Sequence, residues 1–249
     1  MQLRPRKALL ASLFALGALT LTSCKNGSVY GYESDITSVN ETSWHLWRGA
    51  WLAAAVVGIF TAILILWPVF RHRRKAGDPQ YPKQSQYNIP IEVAYTVIPF
   101  IIVAVLFYFT AKDESTITAK EPAKVMHTID VTGIQWSWQF GYEDGGANAV
   151  VTGTPAQPPT LVLPQGERVA FNIYSNDVVH GFWIPAFMIQ IETLPGVKNH
   201  LEFTANKLGE YPGRCNILCG RNHSQMVFKV KVVTPAEYQT YVESIKAGA

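Results

Sequence analysis

Residues 134–142 read IQWSWQFGY, and this stretch decides the fold of the C-terminal part of the chain. Large aromatic side chains recur at every second position, so Trp136, Trp138, Phe140 and Tyr142 share one face of an extended strand. The stretches VMHTIDV, RVAFNIYSND, KNHLEFTA and MVFKVKVV continue this alternation, with Gly- and Pro-rich turns between strands. Short strands without interleaved helices predict an antiparallel β-sandwich or barrel.

One helix is predicted after the strands, in TPAEYQTYVESIKA. Thr234 is a candidate N-cap, Pro235 suits the first helical position, and Glu237 completes a capping box. The domain that these elements form is expected to cover residues 113–249.

Two long apolar runs precede the strands. Residues 51–70 contain no charged side chain, and the run 91–111 contains only Glu92. Each is long enough to cross a bilayer about 30 Å thick. The basic cluster RHRRK at 71–75 follows the first run directly and is expected to stay cytoplasmic. The pattern predicts a transmembrane hairpin.

The predicted hairpin covers residues 44–112, with spans at about 47–70 and 91–111 and a cytoplasmic loop between them. The interfacial tryptophans support it, since Trp44, Trp47 and Trp51 crowd one end of the first span and Trp67 marks the other. Both ends of the mature chain, and the strand domain, are therefore expected on the outer face.

The N-terminus has the parts of a secretory signal. RPRK at 4–7 precedes an apolar region, and Leu21-Thr22-Ser23-Cys24 resembles a lipoprotein cleavage box. We expect a removed signal peptide at 1–23, lipidation of Cys24 and an outer-face segment over 24–43. An ordinary cysteine in a retained first helix is the alternative.

The charge balance argues against a nucleic-acid partner. The chain has 21 Lys and Arg against 18 Asp and Glu, a net charge of +3. Much of the positive charge flanks the apolar runs, at 4–7 and 71–75, where it acts as a topology signal. The partner that these features indicate is membrane lipid.

The stretch GRCNILCGRNHSQM, residues 213–226, carries the chemistry. Cys215, Cys219, His223 and Met226 offer two thiols, an imidazole and a thioether. A disulfide is possible at this spacing, and zinc accepts Cys and His, but Met is a poor zinc ligand. Thiolate, imidazole and thioether together suit copper. A single blue-copper ion needs one cysteine, so the second thiolate indicates two copper ions that share both sulfurs.

Such a pair of ions needs a second histidine. His45 and His72 border the first span, while His127 and His200 sit within strand patterns where a satisfied or solvent-facing role is the expectation. His180, in SNDVVHGFWIP at the end of a strand, is the best remaining candidate.

DVVHGFWIP, LPGVKN and GRCNILCGRNHSQM resemble subunit II of haem–copper cytochrome c oxidases, as do EVAYTVIP and GIQWSWQFGY. The resemblance implies a two-helix membrane anchor followed by a cupredoxin-like antiparallel sandwich with a binuclear copper centre, CuA. It implies these copper ligands: His180, Cys215, the backbone carbonyl of Ile217, Cys219, His223 and Met226. It further implies electron entry at Trp136 and the entrance of a proton path at Glu92. Glu192 matches a position that is normally acidic near the large subunit.

The implied function is that of subunit II of an aa3-type cytochrome c oxidase in a bacterial cell membrane. Electrons pass from cytochrome c, or a cytochrome c domain of a supercomplex, through CuA to haem in subunit I. Oxygen reduction and proton pumping belong to the complex, which also contains subunit III, and this chain is not catalytic alone. Docking of cytochrome c is expected to use opposite charge, and the candidates near the aromatic stretch and His180 in the sequence are Glu143, Asp144 and Asp177, with a solvated surface position as the alternative for each.

The sequence departs from the family pattern at Ile217, where the family usually has glutamate. That glutamate helps to bind an inter-subunit Mg or Mn ion, and isoleucine removes a hard oxygen ligand. We therefore expect this metal to be weakened or absent.

Two other functions fit parts of the sequence. A quinol-oxidase subunit II shares the fold but carries no copper, and a membrane-tethered copper-binding or delivery protein would act without an oxidase. Co-purification with a haem-containing subunit would distinguish an oxidase subunit from the tethered copper-binding protein.

Overall fold

The structure is a computed structural model that describes residues 31–81 and 83–248. The predicted signal peptide and Cys24 lie outside the described residues. Two long helices come first, α1 at Asn40–Arg71 and α2 at Ile89–Ile117. By length and composition both can cross a membrane, with mean hydropathy of 2.4 and 2.3, and the rest of the described chain does not bury their apolar stretches. The predicted spans fall inside these helices.

The start of α2 is fixed by a reciprocal pair of hydrogen bonds. The Ile91 N–H donates to Asn88 Oδ1 at 3.4 Å, and the Asn88 N–H donates to Glu92 Oε1 at 3.1 Å. Pro90 lies in the first turn, where its missing N–H costs nothing. Glu92 therefore has a capping contact in addition to its predicted role in proton entry.

Ten strands and a last helix follow. Their bounds are β1 His127–Ile134, β2 Ser137–Tyr142, β3 Val150–Thr152, β4 Thr160–Pro164, β5 Arg168–Ser175, β6 His180–Ile184, β7 Ile189–Thr193, β8 Asn199–Thr204, β9 Gly209–Cys215, β10 Val227–Val233 and α3 Pro235–Lys246. The strands form two five-stranded sheets, ordered β3-β2-β1-β5-β8 and β4-β10-β9-β6-β7. The predicted two-helix anchor and sandwich are confirmed.

Most strand pairs are antiparallel, but each sheet also contains one parallel pair. β1 pairs with β5, and β10 pairs with β4. Parallel neighbours need a crossover connection, and here the chain passes through the other sheet before it returns. Local alternation along the sequence carries no information about such long-range pairing.

The aromatic alternation of IQWSWQFGY produces the core between the sheets. Trp138, Phe140 and Tyr142 are all at most 1% exposed. Trp138 packs edge-on against Phe182 and Phe228, whose rings stack 5.0 Å apart. Trp136 differs from the prediction, because it lies in the turn between β1 and β2 and is only partly buried.

The capping box of α3 is confirmed. The Glu237 N–H donates to Thr234 Oγ1 at 3.4 Å, and the Thr234 N–H donates to Glu237 Oε2 at 2.9 Å. Tyr238 and Val242 are the buried residues of the helix. α3 thus closes the edge of the sandwich beside β3 and β4.

The sandwich also includes a segment that precedes α1, outside the predicted domain boundary of 113–249. Ile36 and Val39 are buried in its core at 3% and 6% exposure. The Ser38 N–H donates to Thr204 O at 2.9 Å, and the Asn206 N–H donates to Ile36 O at 2.8 Å. The chain therefore contacts the sandwich both before α1 and after α2. This pairing holds the beginning of α1 against the domain.

A buried carboxylate ties the linker after α2 to the sandwich. Glu202 on β8 is 3% exposed and accepts hydrogen bonds from Arg168 Nε at 3.1 Å and the Glu121 N–H at 2.9 Å. His200 Nε2 lies 2.7 Å from its other oxygen. Burial alone would raise the pKa of Glu202, but these hydrogen bonds outweigh it and hold the pKa below the ordinary value of 4.5.

We expect Glu202→Gln to lower the free energy of unfolding at neutral pH by about 1–3 kcal/mol, the cost of weakened hydrogen bonds to charged partners. Because the folded-state pKa is depressed, this stability is present above about pH 4.5 and is lost as the pH falls through the folded-state pKa. Unfolding of the full chain, followed by tryptophan fluorescence at several pH values, measures both effects. Glu210→Gln, at an exposed position on β9, is the control. An equal loss at acid pH would contradict the account.

Candidate metal centre

The candidate ligand loop connects β9 to β10. The two strands are antiparallel, with Arg214 opposite Val227. The next pair, Cys215 and Met226, is joined by a hydrogen bond from the Cys215 N–H to Met226 O at 2.9 Å. One turn of 3₁₀ helix at His223–Gln225 returns the chain to β10. The strand pair therefore brings the two ends of the loop together, and the 3₁₀ turn leads the rest of the loop back to β10.

The loop gathers its sulfur and nitrogen groups around Cys219. Its Sγ lies 3.8 Å from Cys215 Sγ, 3.6 Å from His223 Nδ1 and 3.7 Å from Met226 Sδ. Ile217 O lies 3.2 Å from Cys215 Sγ. His180 comes from the start of β6, and one ligand atom each from His180, Cys215 and Cys219 fall within 4.8 Å of one another. The structure thus brings together every residue of the predicted ligand set.

The site lies just below the surface of the domain. His180, Cys215 and Met226 are fully buried, Cys219 is 5% exposed, and His223 is partly exposed. Both cysteines are free thiols. The disulfide that the spacing left open is therefore not formed.

His180 carries the clearest sign that the site accepts a ligand. Its Nε2 lies 2.8 Å from Asp177 Oδ1, so in the neutral imidazole that nitrogen carries the proton and Nδ1 keeps its lone pair. Nδ1 is buried and has no hydrogen-bond partner among residues 31–81 and 83–248. An unpaired buried polar atom is costly, and a metal ion would satisfy it. Two thiols, two imidazoles and a thioether fit a soft or borderline ion such as copper.

The two thiols differ in acidity. Burial of Cys215 opposes ionisation, but the adjacent His180 imidazole and the hydrogen bond from the Gly181 N–H outweigh burial and lower the pKa of Cys215 to about 6. Burial and the neighbouring Cys215 charge raise the pKa of Cys219 to about 12. Near neutral pH the pair therefore holds one thiolate and one thiol. A metal that both sulfurs bind must displace the Cys219 proton.

Two glycines allow the close approach of elements around the site. A Cβ on Gly133 would lie 2.7 Å from His180 Cδ2, and one on Gly181 would collide with the Asn216 side chain. Neither residue was predicted to matter. The signals that could have indicated a role were the position of Gly133 at the end of a strand pattern and that of Gly181 beside His180.

Two of the other predicted residues lie beside the ligand loop and two lie elsewhere. Trp136 contacts the ligand loop, since its Nε1–H donates to Cys219 O at 3.3 Å. Asp177 is 31% exposed and contacts His180, so it has a structural role that the sequence did not predict. Glu92 lies in the first turn of α2, about 40 Å along the helix from the end that leads to the domain. Glu192 is exposed on β7, opposite Gly181.

Glu143 and Asp144 do not lie near this site. They follow the far end of β2, about 20 Å along the strand from the turn that holds Trp136. Asp144 Oδ2 is 2.6 Å from His127 Nδ1 and accepts from the Tyr238 hydroxyl at 3.0 Å. His127 is 7% exposed and also contacts Glu167 at 2.7 Å, in agreement with its expected satisfied role.

The fold and the site together define a membrane-anchored β-sandwich protein with a sulfur-rich candidate metal centre. Residues 156–233 match the family model described as cytochrome C oxidase subunit II, periplasmic domain. The probable cytochrome c oxidase subunit 2 of Streptomyces coelicolor is 37% identical over 278 residues, covering 96% of this chain and 87% of the relative. Cytochrome c oxidase subunit 2 of Mycobacterium tuberculosis is 33% identical over 300 residues, covering 96% of this chain and 81% of the relative.

The chain belongs to the cytochrome c oxidase subunit II family. It is accordingly a subunit of a haem–copper oxidoreductase, anchored in a membrane and associated with other oxidase subunits. Among solved structures, the periplasmic domain of subunit II of cytochrome oxidase of Bradyrhizobium japonicum is 31% identical. It covers 50% of this chain and 96% of its own, with a TM-score of 0.47.

Proposed function

We propose that the ligand loop and His180 hold a binuclear copper centre that accepts electrons from cytochrome c and passes them to haem in subunit I. The observation that carries the proposal is the convergence of both imidazoles and the thioether on two free sulfurs 3.8 Å apart. Copper analysis of the purified complex tests it. We expect two copper ions per chain, together with a haem-containing partner. Copper without such a partner would favour the tethered copper-binding protein, and a partner without copper would favour the quinol oxidase.

Each ligand has a distinct part in this proposal. Cys215 and Cys219 would supply the sulfurs that hold the ions, His180 and His223 would supply one imidazole each, and the weaker donors would be Met226 and the Ile217 carbonyl. When bound, the copper pair supplies one-electron transfer. The chain contributes a buried, hydrogen-bonded enclosure that resists movement, since the Gly181 N–H donates to Cys215 Sγ at 3.5 Å and β9 and β10 hold the loop ends.

Electron entry is proposed at Trp136. Its partly exposed indole lies at the domain surface, and its N–H reaches the carbonyl of Cys219 at 3.3 Å. One hydrogen bond therefore separates a side chain that a partner can touch from a residue of the ligand set. Trp138 is fully buried in the core and has no comparable access.

The docking of cytochrome c is proposed to use Asp177, the predicted acid that lies beside the ligand loop. Glu143 and Asp144 were predicted with it, but they face another part of the domain. Opposite charges speed association and make it sensitive to salt. Turnover is expected to fall as ionic strength rises, and less steeply in Asp177→Asn than in Glu143→Gln. A flat profile for the unaltered complex would argue against electrostatic docking.

We further propose that the complex is an aa3-type proton-pumping oxidase containing subunits I and III, with Glu92 at a proton entrance on the cytoplasmic side. The proposed topology has a cytoplasmic loop between α1 and α2 and both mature ends outside. Contact of residues 36–39 with the sandwich supports it, because that contact puts the start of α1 and the domain on one side. Removal of residues 1–23 and acylation of Cys24 complete the proposal.

The inter-subunit Mg or Mn ion is proposed to be weakened or absent. Ile217 keeps its carbonyl beside Cys215 but offers no carboxylate, and Mg²⁺ prefers hard oxygen ligands. Metal analysis of the purified complex is expected to find less than one Mg or Mn per chain, and Ile217→Glu is expected to raise that content. Stoichiometric Mg or Mn bound through side chains of the unaltered chain would contradict the hypothesis.

A further inference from the structure

Gln135, in the turn between β1 and β2, makes two hydrogen bonds that point to different parts of the site. Its backbone N–H donates to Asp177 Oδ2 at 2.6 Å. Its side-chain Nε2 donates to Cys219 O at 2.8 Å. The side chain is otherwise exposed and takes no part in the core.

These two acceptors lie on separate segments of the chain, each of which carries candidate ligands. Asp177 orients His180 through its other oxygen at 2.8 Å, and this segment connects β5 to β6. Cys219 lies on the loop between β9 and β10. A single residue on a third segment therefore connects the histidine of one segment to the cysteine of another.

The turn and the ligand loop meet at very close range. Gly220 has φ of +128°, and a Cβ there would lie 3.0 Å from Trp136 Nε1 and 3.2 Å from Gln135 Nε2. The Cys219 carbonyl accepts from both of these side chains, at 3.3 Å and 2.8 Å. The Gln135 hydrogen bond is the shorter of the two, so the Gln135 side chain and the Trp136 indole share one acceptor on the ligand loop.

We propose that Gln135 is a positioning residue that fixes Cys219 and the Trp136 indole relative to His180. The inference rests on the proposed copper function and adds a residue to it. The Gln135 carboxamide donates to the carbonyl of Cys219, a ligand residue. The Gln135 backbone N–H donates to the Asp177 carboxylate, which orients the second ligand, His180. Loss of the side-chain donor would leave the Asp177 contact intact but free the Cys219 carbonyl to move.

The test compares two variants that differ in their ability to donate. Gln135→Leu removes the donor at similar size, whereas Gln135→Lys keeps an N–H donor on a longer side chain. Gln139→Leu is the matched control, because Gln139 lies on the same hairpin and donates to Thr152 Oγ1 at 2.7 Å, away from the ligand loop. Each full-length variant is purified within the oxidase complex, and copper retention is titrated with a competing chelator. The copper EPR spectrum is recorded in parallel.

We expect Gln135→Leu to weaken copper retention by about 10- to 100-fold, the range typical of lost outer-shell contacts, and to alter the hyperfine pattern. Gln135→Lys and Gln139→Leu are expected to stay close to the unaltered protein in both measurements. Equal copper retention and equal spectra for Gln135→Leu and the unaltered protein would overturn the inference. So would a loss in Gln135→Lys as large as that in Gln135→Leu.

Thermal unfolding of the copper-free variants separates positioning from folding. We expect Gln135→Leu and Gln139→Leu to unfold at similar temperatures, because each loses one side-chain hydrogen bond and no core packing. A much lower unfolding temperature for Gln135→Leu alone would assign Gln135 a folding role and overturn the inference. If the unaltered complex binds no copper pair, the proposed function fails as well, whereas failure of the Gln135 variants alone leaves that function standing.

Discussion

Replacing Cys219 by serine is expected to remove the paired copper centre. Cys219 Sγ is the common neighbour of the site, within 3.8 Å of Cys215 Sγ, His223 Nδ1 and Met226 Sδ. A hydroxyl is a poor ligand for copper in a thiolate site, and without the second sulfur the two ions have only one shared donor. We expect copper content to fall from two ions per chain to one or none. Cytochrome c oxidation by the complex should fall by more than about 100-fold, beyond the losses typical of outer-shell changes.

Cys24→Ser is the matched control for this experiment. It makes the same chemical change at the third cysteine of the chain, which is predicted to carry lipid. Copper content should be unchanged in this variant. A Cys219→Ser complex that retains two copper ions and normal turnover would contradict the assignment of the bridging sulfurs.

Replacing Trp136 by leucine is expected to slow electron entry by about 10- to 100-fold while the copper content remains at two. The indole is the partly exposed group that contacts Cys219 O, and leucine offers neither its N–H nor its π system. Rapid mixing of the complex with reduced cytochrome c, monitored at the copper band, measures the rate directly.

Trp183→Leu provides the comparison for electron entry, since Trp183 is also a partly buried tryptophan of the sandwich and lies on β6. Its rate is expected to match that of the unaltered complex. Equal rates for Trp136→Leu and the unaltered complex would show that electrons enter elsewhere. A Trp136→Leu complex that loses copper would instead place Trp136 among the residues that hold the centre together.

The sequence predicted the elements whose signals are local. Apolar runs gave the two helices, alternation gave strands with Trp138, Phe140 and Tyr142 inside, and Thr234 with Glu237 gave the cap of α3. Each of these depends on residues within a few positions of one another. Ligand chemistry and family resemblance together proposed the six-member ligand set, and the structure brings all six together.

Features that depend on distant contacts were not predicted. Trp136 fits the alternation of β2, but the turn after β1 removes it from the strand and turns it to the ligand loop. Ile36 lies in a polar segment, and its burial depends on β8, more than 160 residues later. Glu143 and Asp177 were grouped by their closeness to aromatic residues in the sequence, yet the length of β2 separates them.

The most direct test of the proposed centre is the EPR spectrum of the oxidised, copper-loaded complex. One unpaired electron shared equally by two copper nuclei gives seven hyperfine lines, whereas an electron confined to one copper gives four. Because Cys215 and Cys219 lie close enough to bind the same two ions, we predict the seven-line pattern, lost in Cys219→Ser and kept in Cys24→Ser. A four-line spectrum from the unaltered complex would contradict the binuclear centre.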